Sequence, residues 1–137
     1  MNAYFIDTNV LIYGFSSDEP IKSHIANKLI FDGDGIISLQ VVNEFSNICL
    51  RKFRKDPSTV IEAVNEVYSK IRVVNFSVST QIKALELCQC VNVSFYDALI
   101  LATALQNKCS IVYSEDMQHG QIIEHTLTIT NPFFACS

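Results

Sequence analysis

The chain has 137 residues, of which 49% are hydrophobic and 18% charged, with a formal net charge of −4. That length suggests one compact domain over residues 1–137, and the composition excludes a disordered tail. The acidic balance excludes a protein that coats nucleic acid through bulk electrostatics.

Met1-Asn2-Ala3-Tyr4 has no basic region ahead of an apolar one, and the longest apolar run, Ala98 to Leu105, falls short of a membrane span. The five cysteines are an odd number in scattered apolar contexts. Buried, reduced thiols and a cytoplasmic protein with no membrane association are expected. Cys88-x-Cys90 has the wrong spacing for a redox pair, and His24, His119 and His125 show no zinc-site spacing.

In chain order, Ala3 to Ile6 reads as a short buried strand, followed at once by Asp7-Thr8-Asn9. Asp18-Glu19-Pro20 has the chemistry of a helix start, and that helix runs to Phe31 before Asp32-Gly33-Asp34-Gly35. Ile36-Ile37-Ser38 is a second strand. A helix from about Gln40 to Phe53 carries an apolar stripe at Val41, Phe45, Ile48 and Cys49. Pro57 opens another, apolar at Val60, Ile61, Val64, Val67 and Ile71. Val73 to Phe76 is a strand, Ser79 to Cys90 a helix, and Tyr96 to Asn107 a strongly apolar helix. Ser110 to Tyr113 and Leu127 to Ile129 complete the strands.

Strands separated by helices imply right-handed crossovers and a mainly parallel central sheet covered on both faces, an α/β three-layer sandwich. Such sheets bind ligands beyond the carboxyl ends of their strands. Four acids fall there, each with a competing explanation. Asp7 directly follows strand one, where a helix cap is an equal alternative. Glu44 shares a helix face with Asn47 and Arg51, as a solvated glutamate would. Asp97 stands three residues after Ser94, resembling a capping box. Asp116 lies just past strand four, where turn chemistry competes, and Glu115 beside it cannot point the same way. Gathered together, the four would repel, and a bound Mg²⁺ or Mn²⁺ would relieve that repulsion. Such ions promote phosphodiester hydrolysis by acidifying water and orienting the phosphate.

The pieces Phe5-Ile6-Asp7-Thr8-Asn9-Val10-Leu11, Asn43-Glu44, Tyr96-Asp97-Ala98-Leu99-Ile100, Ser114-Glu115-Asp116 and Asn131-Pro132-Phe133 occur in one order and spacing. There the chain resembles the PIN-domain family, above all the VapC-type toxin ribonucleases of toxin–antitoxin pairs. The resemblance implies a PIN-like fold and a metal-dependent ribonuclease, with Asp7, Glu44, Asp97 and Asp116 as catalytic metal ligands for Mg²⁺ or Mn²⁺. It places Thr8, Asn9 and Ser114 as supporting polar residues, and implies an RNA substrate, a homodimer and a cognate antitoxin. Arg51, Lys52 and Arg54 are candidate RNA phosphate contacts, with a solvated helix end as the alternative.

A non-toxin PIN nuclease in RNA processing is the nearest competing reading. A haloacid-dehalogenase-type phosphatase needs a second Asp two residues after the first, where this chain has Asn9. A receiver-like signalling domain needs a phosphoacceptor Asp after strand three, where no acid occurs until Glu86.

Overall fold

The computed structural model describes residues 3–136. Met1 and Asn2 of the N-terminal segment, together with Ser137, lie outside the described residues. The chain runs β1 (Tyr4–Ile6), α1 (Thr8–Gly14), α2 (Pro20–Phe31), β2 (Gly35–Ser38), α3 (Leu39–Arg51) and α4 (Pro57–Lys70). Then follow β3 (Arg72–Val74), α5 (Val78–Cys90), α6 (Phe95–Gln106), β4 (Ile111–Tyr113), β5 (Ile122–Ile123), β6 (Leu127–Thr130) and a one-turn helix, Phe134–Cys136.

All six strands join one sheet in the order β3-β2-β1-β4-β6-β5. Every pairing is parallel except that of β5 with β6. From β1 the chain steps outward to β2 and β3, then returns to lay β4 on the other side of β1. Right-handed crossovers therefore put α1 to α4 on one face and α5 and α6 on the other. The α5–α6 contact is the most extensive in the molecule, and α3 packs against both α1 and α4. This is the expected α/β three-layer sandwich. The reversal of strand order at β1 opens a crevice beyond the carboxyl ends of β1 and β4.

Burial explains why these segments hold. Phe5, Ile6, Ile36, Ile37 and Val112 are almost completely buried in the central strands. Removing an aliphatic or aromatic side chain of this kind from water contributes about 1.5–3 kcal/mol. In α6 every residue from Ala98 to Ala104 is buried, so this helix has no solvated face over that stretch and serves as a central element. Thr103 fits there because its hydroxyl donates to Leu99 O at 2.7 Å.

Several expectations need correction. The helix after Asp7 is a separate element, α1, which had no predicted boundaries. α3 begins one residue early, at Leu39, because Ser38 caps it by accepting from Val41 N. It ends at Arg51, so Phe53 lies beyond it. Ile61, expected on the buried stripe of α4, is 59% exposed, while Val60, Val67 and Ile71 are buried. β5 had no predicted counterpart. Among the cysteines, Cys109 is buried and Cys49 and Cys88 half-buried, but Cys90 is exposed; these four thiols are free. The side chain of Cys136 lies outside the described residues. No single described helix is long and apolar enough to cross a membrane.

Candidate active site

Asp7 leaves β1 with its backbone still on the sheet, its N–H donating to Tyr113 O of β4 at 2.9 Å. Its carboxylate then does two jobs. Oδ1 accepts from Thr8 N at 2.8 Å, capping α1, and Oδ2 accepts from Ser114 Oγ at 2.8 Å. The capping and site readings are thus compatible. Asp7 is only 5% exposed. Burial pushes its carboxyl up to about 6, although the hydrogen bonds from Ser114 and Thr8 pull it down; the charges of Asp97 and Glu44 add to the rise.

Ser114, completely buried, ties the end of β4 to Asp7 and accepts the N–H groups of Asp116 and Met117 at 3.2 and 3.3 Å. Asn9, in the first turn of α1, bridges two acids. Its Nδ2 donates to Asp7 Oδ2 at 3.3 Å and to Asp116 Oδ2 at 3.0 Å. Its Oδ1 accepts from Glu115 N at 3.1 Å. The adjacent acids diverge as expected. Glu115 turns away to Tyr13 Oη at 2.9 Å and Lys22 Nζ at 2.7 Å, while Asp116 faces Asn9.

The other two acids come from helices. Glu44 lies on α3, and its Oε1 accepts from Thr8 Oγ1 at 2.7 Å. Asp97 lies in the first turn of α6, where its N–H donates to Ser94 Oγ at 3.2 Å. Burial raises the Asp97 carboxyl, the Ser94 hydrogen bond lowers it, and the charge of Asp116 raises it further.

Asp7, Glu44, Asp97 and Asp116 line one cavity of about 380 Å³, with Thr8, Asn9, Gln40, Asn47 and Tyr96 on its wall. No described Lys, Arg or His lines it. Arg51, Lys52 and Arg54 are exposed and absent from that wall. Asn47 entered the sequence reading only as a neighbour of Glu44 on a solvated face, and Gln40 only as the start of that helix. The four-residue spacing of Gln40 from Glu44 is the signal that would have found it.

The donors are oxygens throughout, the set that Mg²⁺ and Mn²⁺ prefer. Among the described residues, no three His, Cys, Asp or Glu side chains already close on a single point as a ligand group. The cavity has room for the waters that complete the shell of a small hard cation. Unbalanced negative charge with space for a hydrated ion fits a divalent cation bound partly through water.

Three solved structures share this fold. VapC20 of Mycobacterium tuberculosis, a sarcin-ricin-loop-cleaving toxin, superposes with a TM-score of 0.63 at 17% identity, covering 82% of this chain and 89% of its own. A toxin–antitoxin complex from Klebsiella pneumoniae gives 0.69 at 21% identity, with 94% and 97% covered. VapBC2 of Rickettsia felis, solved on a DNA fragment from its promoter, gives 0.68 at 16% identity, with 93% and 98% covered. At these identities the likeness is one of fold. No curated protein matches the sequence. The PIN domain model matches residues 4–122, from the start of β1 to the first residue of β5, and the chain belongs to the PIN domain family.

Proposed function

We propose that this chain is a divalent-cation-dependent endoribonuclease that hydrolyses RNA phosphodiester bonds as the toxin of a toxin–antitoxin pair. It works in the cytoplasm as a homodimer, residues 1–137 forming one nuclease domain, until a cognate antitoxin covers the acidic cavity. PIN membership supports the nuclease chemistry. Fold neighbours described as a toxin and as a toxin–antitoxin complex support the pairing. The observation that carries the reading is the junction of Asp7 and Asp116 through one Asn9 amide, inside a cavity lined by two more acids and no described cation.

A bound Mg²⁺ or Mn²⁺ supplies an acidified water and neutralises charge on the phosphate. The residues of the chain divide the remaining work. Ser114 and the Thr8 N–H fix the Asp7 carboxylate from behind, leaving it aimed into the cavity. Asn9 sets the separation of Asp7 and Asp116, and Thr8 Oγ1 orients Glu44 toward the same space. Glu44 and Asp97 complete the oxygen donors from the two helical layers. No described His or Lys on the cavity wall offers a dedicated base, so proton transfer falls to solvent and the carboxylates. Arg51, Lys52 and Arg54, exposed and outside the cavity wall, would meet RNA phosphates away from the reacting bond.

The test is cleavage of total RNA with Mg²⁺ or Mn²⁺. Asp7→Asn abolishes cleavage while the far-ultraviolet circular dichroism stays unchanged, and chelation with EDTA abolishes it in the wild type. Full activity in either condition overturns the scheme. Growth arrest on expression of the wild type but not of Asp7→Asn tests the toxin assignment separately.

A further inference from the structure

A second depression, of about 490 Å³, opens beside the acidic cavity and shares Gln40, Glu44 and Tyr96 with it. Its remaining wall is Leu39, Asn43, Asn75, Phe76 and Leu99. Two features of it suit a ligand. Tyr96, the second residue of α6, is 65% exposed, with its ring edge-on to Phe95 at 5.5 Å between centroids. Gln40 carries a buried Nε2 with no hydrogen-bond partner among the described residues, a costly arrangement unless something else supplies the acceptor.

We infer that this depression is a nucleobase subsite, which seats the base of a nucleotide flanking the scissile phosphate. Tyr96 offers a π face on which a base stacks, and Leu39, Phe76 and Leu99 give it an apolar floor. Gln40, Asn43 and Asn75 ring that floor with carboxamides, the groups that read base edges in single-stranded RNA. Asn75 Oδ1 is already taken by Phe76 N at 2.9 Å, which leaves its Nδ2 as the donor. Among the described residues, Glu44 is the only charged one on the wall, and no Lys or Arg lies there. The depression therefore suits the neutral part of a nucleotide and repels its phosphate. Shared walls with the acidic cavity put base and phosphate side by side. The choice of RNA as ligand rests on the nuclease reading above.

The experiment uses the full chain carrying Asp7→Asn to block turnover, with Mg²⁺ present. Fluorescein-labelled 2′-O-methyl trinucleotides with each of the four bases at the centre, and one abasic at the centre, are titrated by anisotropy. The expected result is tighter binding of one base than of the weakest, by about tenfold, the order that one hydrogen-bonded or stacked base contributes. Adding Gln40→Met flattens that preference. Adding Tyr96→Ala weakens every base about tenfold, and Tyr96→Phe, which keeps the ring, restores binding. The inference is overturned if the abasic probe binds as well as the others, if no probe binds, or if Gln40→Met and Tyr96→Ala stay within twofold of their parent. A wild type that cuts RNA at unchanged positions and KM after Tyr96→Ala also overturns it, and leaves the nuclease reading standing. Base-selective binding by a wild type that never cuts RNA would have the opposite meaning. Displacement of a bound probe only by a peptide, with no base selectivity, assigns the depression to a protein partner instead and overturns the inference.

Discussion

Replacing Asp7 by Asn removes a buried charge, so the same substitution that should stop cleavage should also stabilise the cation-free fold at neutral pH. The carboxyl rises from 3.8 in an exposed chain to about 6 in the folded one, chiefly through burial. Below the lower value both states are neutral. Between the two, the unfolded chain loses its proton while the folded chain keeps it, so stability falls as pH rises. Above the upper value the whole penalty is present, about 3 kcal/mol for roughly two pH units. Asparagine does not recover all of this. Its amide nitrogen meets Ser114 Oγ and Asn9 Nδ2, both of which donate to Asp7, while Ser114 Oγ already accepts two backbone N–H groups. Losing two such bonds costs about 1 kcal/mol each. The net gain is about 1 kcal/mol near pH 7.5, a Tm rise of about 3–5 °C for a chain of this size. Near pH 4.5 about 2 kcal/mol of the penalty is gone, and the variant becomes the less stable protein. Scanning calorimetry in EDTA at both pH values measures the difference. A Tm difference that is independent of pH, or that favours the variant more in acid, refutes the argument that burial holds this carboxyl near 6.

Four further outcomes follow from the same contacts. Ser114→Ala removes the donor to Asp7 and strands the buried Met117 N–H and the partly buried Asp116 N–H. It should cost about 2–3 kcal/mol by calorimetry and move the acid limb of the pH–rate profile upward. Lys22→Met breaks the 2.7 Å ion pair with Glu115, whose own N–H is held by Asn9. Stability should fall by only about 1 kcal/mol, but single-turnover cleavage by about tenfold, with Lys22→Arg close to wild type. Mg²⁺ at 100 times its Kd should stabilise the wild type by about 2.7 kcal/mol near pH 7.5 and leave Asp7→Asn nearly unmoved in a thermal-shift assay. Leu101→Ala, at a position with no solvent exposure, should cost about 2–5 kcal/mol in chemical denaturation and leave the cleavage pattern unchanged.

The parts of the fold that the sequence made legible are those written in local chemistry. Pro20 and Pro57 mark their helix starts, Ser94 caps α6, and the apolar run to Leu105, interrupted only by Thr103, identifies the central helix. Asp7 and Asp97 were legible for the same reason, since each sits at a helix cap or first turn after a recognisable break. Glu44 was not legible from its neighbours, because a glutamate on an amphipathic helix is ordinarily solvated. Its place in the cavity comes from the docking of α3, which brings it to Thr8, 36 residues earlier in the chain. Ile61 misled for a related reason. Periodicity gives a stripe but not its width, and α4 buries Val60 and Val67 and leaves Ile61 in solvent. β5 has two residues, too few to show a period of any kind.

The bridging role of Asn9 was least accessible of all, and it matters most for how the site is held. Its contacts with Glu115 and Asp116 span 106 and 107 residues and exist only because β1 and β4 are neighbours in the sheet. Asp7, Ser114 and Asn9 therefore form one hydrogen-bonded unit anchored to two parallel strands. Glu44 and Asp97 reach the same cavity from α3 and α6, which pack on opposite faces. A shift between the helical layers moves these two acids relative to the strand-anchored pair without breaking the unit. On the proposed reading, Asp7 and Asp116 would therefore set the cation position, and Glu44 and Asp97 would adjust to it. Asp97→Asn should accordingly weaken Mg²⁺ affinity less than Asp116→Asn, measured by calorimetric titration at one pH. The reverse order would mean that the helical layers, and not the strand ends, fix the site.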